Sequence, residues 1–451
     1  MATTTIAEKP RSLGKLMAAG LIGSSIEWYD FFIYGTAAAL VFGKLFFPYA
    51  SPLVGTLLAF STFWAGFIAR PIGGLIFGHI GDRIGRKPAL VACLAITGCA
   101  TFLIGLLPTA ATIGALAPVL LVSLRFLQGI AVGGQWGGVT LLLTESASSR
   151  NRGLAGSFCQ MGVPIGVILG NVAFLVASAS MSATSFGSWG WRVPFLFSAL
   201  LFPVLAFIQL RFEDTPAFKE LQAQRAASPS AAAKSPLLAV IRQHWRPILF
   251  GAGLLFACNS IFYVSISGLL DYGTRALHLD RNGLLLIVLI SSAVNVGIIM
   301  LSGKLSDRLG RRPLILVGAV ILTLWAFPMF WLVDTASLGL ILVAVTVGGF
   351  GSSLIYGPLA AYLSELFRPE VRYSGASLAY QLASILVSGG TPFLMTALLA
   401  ATGTSASVSA FLALMALCTL GSALLLPETI GAKASTAAAA AAAAATPAPS
   451  A

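Results

Sequence analysis

Stretches of roughly 20 apolar residues recur along almost the whole of this 451-residue chain. They fall at about 17–43, 53–79, 88–108, 115–144, 153–178, 191–211, 247–270, 283–305, 313–333, 337–363, 373–400 and 405–427. Each can cross about 30 Å of hydrocarbon as a helix. No water is available there, so backbone polar groups must be satisfied within the segment, and helices are the form that fits. Barrel strands would be about 10 residues long and alternate in polarity. Composition agrees: 57% of residues are hydrophobic and 9% charged, against about 25% charged in soluble domains. The expectation is an all-α membrane protein with twelve transmembrane helices.

Charge placement predicts the orientation. The net charge is +12, but of the 27 Lys and Arg only Lys44, Arg192, Arg275 and Arg281 fall in segments placed outside, and only Arg70 and Arg125 within spans. The remainder lie in segments placed inside, the positive-inside pattern. The basic balance is therefore read as a topology signal rather than a nucleic-acid surface. Both termini are expected in the cytoplasm, and the first span is expected to be retained, since no small-residue cleavage site closes a short apolar core. Cys93, Cys99, Cys159, Cys258 and Cys418 all lie in spans without metal-ligand spacing, and read as small buried hydrophobes.

The polar stretch 212–246 divides six spans from six. The expected organisation is a cytoplasmic tail at 1–16, a six-helix bundle at 17–211, a cytoplasmic linker at 212–246, a second bundle at 247–427 and a disordered Ala-rich tail at 428–451. The halves echo each other. GHIGDRIGRKP at 78–88 returns 225 residues later as GKLSDRLGRRP, so that Gly78, Asp82, Arg83, Gly85 and Arg86 match Gly303, Asp307, Arg308, Gly310 and Arg311. A weaker echo relates Glu145 and Arg152 to Glu365 and Arg372. Glycine permits close helix approach and tight turns, and an Asp can accept bonds from a helix N-terminus or an Arg. The two copies are expected to form a conformational latch. Duplicated six-helix halves are a transporter feature, with the site between the halves.

Polar residues inside spans are unevenly spread. Spans 3, 6, 9 and 12 have almost none. The other eight carry Glu27 and Asp30, Arg70, Arg125 with Gln128 and Gln135, Gln160 with Asn171, Asn259 with Tyr263, Asn295, Tyr356, and Tyr380 with Gln381. Polar side chains at membrane depth face a cavity or one another, so these eight helices are expected to line a central wet cavity. A lone charge at mid-membrane costs about 2.5 kcal/mol or more. At 1.5 Å rise per residue, Glu27 and Arg70 both lie about 15 Å from the cytoplasmic side, and Asp30 and Arg125 share a level nearer the outside. The simplest pairing is Glu27 with Arg70 and Asp30 with Arg125; crossed pairing is the alternative. Desolvation raises a carboxylate's proton affinity and a nearby guanidinium lowers it. An Arg that turns toward an incoming anion would therefore let its partner take up a proton. Asp30 is the expected proton carrier, with Glu27 a second coupling element or a structural partner. Arg125 is the first candidate to grip a substrate carboxylate, with Arg70, Gln128, Gln135, Gln160, Asn259, Tyr263, Asn295, Tyr356, Tyr380 and Gln381 completing the site.

DRIGRKP and SDRLGRRP resemble the loop signature of the major facilitator superfamily, and RFLQGIAVGG at 125–134 resembles its fourth-span motif. IEWYDFFIYG at 26–35, ARPIGG at 69–74, SWGWRVPF at 188–195 and VRYSGASLAYQLASIL at 371–386 are similar to its metabolite:proton symporter family. That family includes transporters of shikimate, citrate, 2-oxoglutarate, dicarboxylates, proline and betaine, and the stretch 101–134 is most like the shikimate-type branch. The resemblance implies two six-helix halves around a central cavity. Many relatives carry Glu where this chain has Gln135, so no proton carrier is assigned there.

No GxxxxGK[ST] loop, metal cluster or catalytic constellation appears in the sequence, so no cofactor and no enzymatic activity are expected. The reading is a proton-coupled symporter of the bacterial inner membrane, acting as a monomer and importing a small polar organic acid by alternating access. The alternatives are an exporter of metabolites or drugs with the same fold and a non-transporting membrane sensor.

Overall fold

The structure, a computed structural model, describes residues 13–84, 86–133, 143–144, 146–148, 150–210, 236–367 and 371–430. All secondary structure among these residues is helical. Nine helices among them are long and apolar enough to cross a membrane. Spans 1 to 6 contain Leu13–Ala37, Pro52–Ile84, Arg86–Leu106, Leu116–Gly133, Arg152–Ala179 and Val193–Leu210. Spans 8, 9, 10 and 12 contain Arg281–Leu309, Arg311–Val333, Leu338–Leu366 and Ala406–Leu425.

Spans 1, 7 and 11 are not regular throughout. Span 1 widens into a π-helical turn at Ala38–Phe42. Span 7 is assembled from the part of Pro236–Gly253 that follows His244, then Phe256–Tyr263, a π-helical turn at Val264–Gly268 and Leu269–Arg275. Span 11 runs through Arg372–Ala383, a third π-helical turn at Ser384–Ser388, and Thr391–Thr402. Single π-helical turns of this kind are rare and cluster at functional places.

Two expected boundaries move. The linker set at 212–246 is already helical from Pro236, and His244 (φ −122°, ψ 24°) marks the kink where this segment turns into span 7. The tail set from 428 begins too early. Glu428 accepts from the backbone N–H groups of Arg311 (3.0 Å) and Arg312 (2.9 Å), which start span 9. A carboxylate is favoured at a helix N-terminus because the first N–H groups have no partner within the helix.

Within the first half, glycine brings backbones together. A Cβ on Gly73 of span 2 would stand 1.7 Å from the Ile130 carbonyl oxygen of span 4, and one on Gly129 would stand 2.1 Å from that of Gly66. Small residues serve this purpose where lipid offers no hydrophobic driving force between helices. Gly66 also leaves room for a side chain: its Cβ would lie 2.7 Å from Arg125 Nε.

The halves meet at both ends of the bundle. At the end carrying the repeated loops, here the motif end, span 5 crosses span 8 so closely that a Cβ on Gly153 would lie 2.4 Å from the Gly303 carbonyl oxygen. At the far end, Ser178 donates to Asn282 Oδ1 (2.6 Å) and Gly35 of span 1 faces Ser267 of span 7. Between them, Trp64 Nε1–H of span 2 donates to the Ile385 carbonyl of span 11 (2.8 Å).

Candidate functional site

A cavity lies between the halves, lined from both of them. Span 1 supplies Trp28 and span 2 Arg70; span 5 supplies Val163 and Pro164. The second half supplies Asn259 and Tyr263 from span 7, Asn295 from span 8, Tyr356 from span 10 and Tyr380 from span 11, with the hydroxyls of Ser352, Ser353, Ser384 and Ser388. Six residues expected at a substrate site thus share one cavity: Arg70, Asn259, Tyr263, Asn295, Tyr356 and Tyr380. Among the described residues, the second half contributes hydroxyls and amides but no charge.

Hydrogen bonds fix several of these groups. Asn259 Nδ2 donates to Ser388 Oγ (2.7 Å), tying span 7 to the π-helical turn of span 11. The Tyr356 and Tyr380 side chains are hydrogen-bonded to each other. Gln160 donates from span 5 to the Tyr356 carbonyl across the halves (3.4 Å). Asn295 Oδ1 is buried without a hydrogen-bond partner among the described residues.

Among the described residues, Arg70 is the one charged residue on the cavity wall. It is 2% exposed, and its Nε and Nη2 have no hydrogen-bond partner among the described residues. Aromatic rings hold it: its Cζ lies 4.4 Å from the Phe67 ring centre, 4.5 Å from that of Phe31 and 5.6 Å from that of Trp28. Cation–π contacts partly replace lost hydration while leaving the N–H edge of the guanidinium available. The expected ion pair of Arg70 with Glu27 is not found among the described residues, where Arg70 Nε and Nη2 are buried without a hydrogen-bond partner. Glu27 is half-buried and acts electrostatically on Cys93 of span 3.

Arg125 is placed differently from the expectation. It is fully buried, off the cavity wall, with its Cζ 4.0 Å from the Phe31 ring centre, 4.3 Å from that of Tyr34 and 5.0 Å from that of Phe63. Its Nη1 donates to Gln128 Oε1, and Gln128 Nε2 donates to Asp30 Oδ2 and to Thr101 Oγ1 (2.9 Å). Asp30 and Arg125 are therefore joined through Gln128 rather than by direct contact. Thr101 comes from span 3, which the sequence marks as peripheral. Its single hydroxyl in an apolar span gives no signal that separates it from a packed threonine. Gln381 is buried on span 11 but is not on the cavity wall. Gln135 lies outside the described residues.

At the motif end, Asp307 accepts from the backbone N–H groups of Gly153 (2.8 Å) and Leu154 (3.0 Å), so the second half caps the first turn of span 5 in the first half. Arg311 is fully buried and donates to Asp307 Oδ1 (2.8 Å) and Ser306 Oγ (2.6 Å), and its Nη2 lies 3.3 Å from Glu365 Oε1. Gly310 has φ +100°, which a side chain would strain. Arg308 lies in the last turn of the span 8 helix, and Arg152 and Arg372 open the helices of spans 5 and 11. Gly85 and Glu145, and the side chains at Gly78, Asp82, Arg83 and Arg86, lie outside the described residues.

A dry aromatic-lined guanidinium facing a polar cavity, a buried carboxylate one helix away and a cross-half cap together define a membrane transporter built from duplicated halves. The chain belongs to the Major Facilitator Superfamily, whose family model matches residues 17–389. It is 40% identical over 424 residues to the inner membrane metabolite transport protein YhjE of Escherichia coli (strain K12), covering 93% of this chain and 95% of that one. It is 37% identical over 407 residues to the shikimate transporter of the same organism, covering 88% and 92%. It is 33% identical over 389 residues to the proline/betaine transporter of Salmonella typhimurium, covering 85% and 77%. Among solved structures, the proton:xylose symporter XylE bound to 6-bromo-6-deoxy-D-glucose superposes with a TM-score of 0.72 at 19% identity, covering 92% of this chain and 96% of that one. The family is one of transporters, not of enzymes.

Proposed function

We propose that this protein is a proton-coupled symporter that imports a small polar organic acid. The carrying observation is the cavity wall: one guanidinium, Arg70, facing neutral hydroxyl and amide groups. A guanidinium binds a carboxylate bidentately, and the opposite wall matches a substrate whose remaining groups are hydroxyls. A shikimate-like monocarboxylate fits this division. A di- or tricarboxylate would leave negative charge against neutral groups, and a cationic drug would meet the guanidinium.

Asp30 is the proton carrier in this reading. It is 1% exposed, its Oδ1 has no hydrogen-bond partner among the described residues, and its other oxygen is tied through Gln128 to Arg125. Anion in the cavity and proton on Asp30 favour each other by charge compensation, and such coupling is reciprocal. The bundles 17–211 and 247–427 then rock about the cavity, with the Asp307 cap stabilising the packing in which the motif end is closed. The motif end is cytoplasmic, as are both termini; the protein is a monomer of the bacterial inner membrane.

Uptake of labelled shikimate, citrate and proline by cells expressing the protein, with and without a protonophore, tests this. Accumulation of shikimate that collapses with the proton gradient is expected. Uptake indifferent to the protonophore would remove the symport reading.

A further inference from the structure

The ring of Phe31 carries both membrane guanidiniums. Arg70 Cζ lies 4.5 Å from its centre and Arg125 Cζ 4.0 Å. Arg70 lines the cavity; Arg125 does not. Flanking rings serve one arginine each: Phe67 stands 4.4 Å from Arg70, and Phe63 stands 5.0 Å from Arg125. Phe31 packs on both, 4.7 Å from Phe67 and 5.2 Å from Phe63. Phe31 is also the chain neighbour of Asp30.

We propose that Phe31 is a positioning residue that transmits occupancy of the cavity to the proton site. It rests on the symport reading given above. An anion that draws the Arg70 guanidinium into the cavity takes it off the ring. Like charges repel, and Arg70 and Arg125 act on each other electrostatically. Arg125 is then relieved of that repulsion and no longer shares the ring's negative quadrupole with a second cation, and its hold on Gln128, and through it on Asp30, changes. The charged or titratable groups acting on Asp30 among the described residues are Arg125 and its chain neighbour Tyr29. Those acting on Arg125 are Tyr34, Asp30, Arg70 and Tyr263; those acting on Arg70 are Tyr263, Tyr356 and Tyr380, together with Arg125 itself. Glu27 lies one turn before Phe31 and acts on Cys93. Asp30 is the carboxylate joined to Arg125 through Gln128.

The test is titration of the purified protein with shikimate at pH 6 and pH 8, followed by tryptophan fluorescence, since Trp28 lines the cavity. In the wild type the affinity should differ between the two pH values by about fivefold or more, a usual coupling magnitude. Phe31→Leu and Phe31→Met should bind shikimate with less than a twofold difference, while Phe31→Tyr keeps the wild-type difference. Phe67→Leu loosens Arg70 alone and should weaken binding equally at both pH values. The proposal is overturned if Phe31→Leu or Phe31→Met keeps the full pH dependence, or if a folded Phe31 variant binds at neither pH. A wild type that binds shikimate without pH dependence overturns the symport reading itself, and this proposal with it.

Discussion

Asp30 and Arg125 share a single side-chain amide: Gln128 accepts from the guanidinium through its oxygen and donates to the carboxylate through its nitrogen. Direct contact would bind the two charges tightly. The inserted amide satisfies one atom of each and leaves Asp30 Oδ1 without a hydrogen-bond partner among the described residues, so the carboxylate keeps a site at which a proton can be held.

Gln128→Leu should remove both bonds and leave two buried charged groups short of partners, a loss of about 1–3 kcal/mol for each such group. Thermal melting of the purified variant should fall by several degrees, and proton-driven uptake should be lost. Unchanged melting and uptake would show that the amide is incidental.

Asp30→Asn keeps the shape of the side chain and its bond from Gln128 but cannot release a proton. Uphill uptake should be abolished while exchange of labelled for unlabelled shikimate across vesicles persists. Full concentrative uptake by the variant would exclude Asp30 as the carrier.

Arg70 and Arg125 should separate in kinetics. Replacing Arg70 with Lys removes the bidentate fork from the cavity and should raise the half-saturating shikimate concentration roughly tenfold, the scale of a lost charged hydrogen bond. Arg125→Lys should leave that concentration within about threefold and lower the accumulation ratio, because Arg125 lies off the cavity wall. Equal effects on half-saturation in both variants would contradict the division.

Packing gives a matched pair of substitutions. Gly73→Ala places a Cβ 1.7 Å from the Ile130 carbonyl oxygen, whereas at neighbouring Gly74 the nearest atom is 3.5 Å away. The first should abolish stable insertion and the second should be close to neutral, read as the amount of folded protein in the membrane fraction.

Asp307→Asn weakens the cap on span 5, where loss of capping charge is worth about 1 kcal/mol. In inside-out vesicles, Cys159, buried one and a half turns further along that span, should react faster with a membrane-impermeant maleimide. Unaltered labelling would show that the cap does not hold this end closed.

Much of this architecture was open to reading from residues alone, because the cost of a charge or a free backbone group in hydrocarbon is large enough to discipline sequence. The helices, the duplication and the depth of Asp30 follow from such costs. What depth leaves open is rotation about the helix axis. Arg70 and Arg125 both come within reach of span 1 by rise per residue, and only packing through Gly66, Gly73 and Gly129 turns one guanidinium toward the cavity and the other toward Gln128. Phe31, Phe63 and Phe67 were hidden for a different reason. In a chain with 29 Phe, a ring that carries two cations looks like any other apolar residue until its neighbours are known. Glu428 lies in what reads as the start of a disordered tail, and its role depends on a helix start more than a hundred residues away in sequence.

The widened turns at Ala38–Phe42 and Val264–Gly268 sit at equivalent places in the two halves, both toward the far end, whereas the motif end is held by an aspartate on a helix start. If the halves rock as proposed, the two ends should yield by unlike physics. One would flex at irregular backbone; the other would have to release a carboxylate from a helix start. Ionic strength and charge-altering modification should act on the second barrier and leave the first almost untouched, giving the cycle two separately adjustable steps.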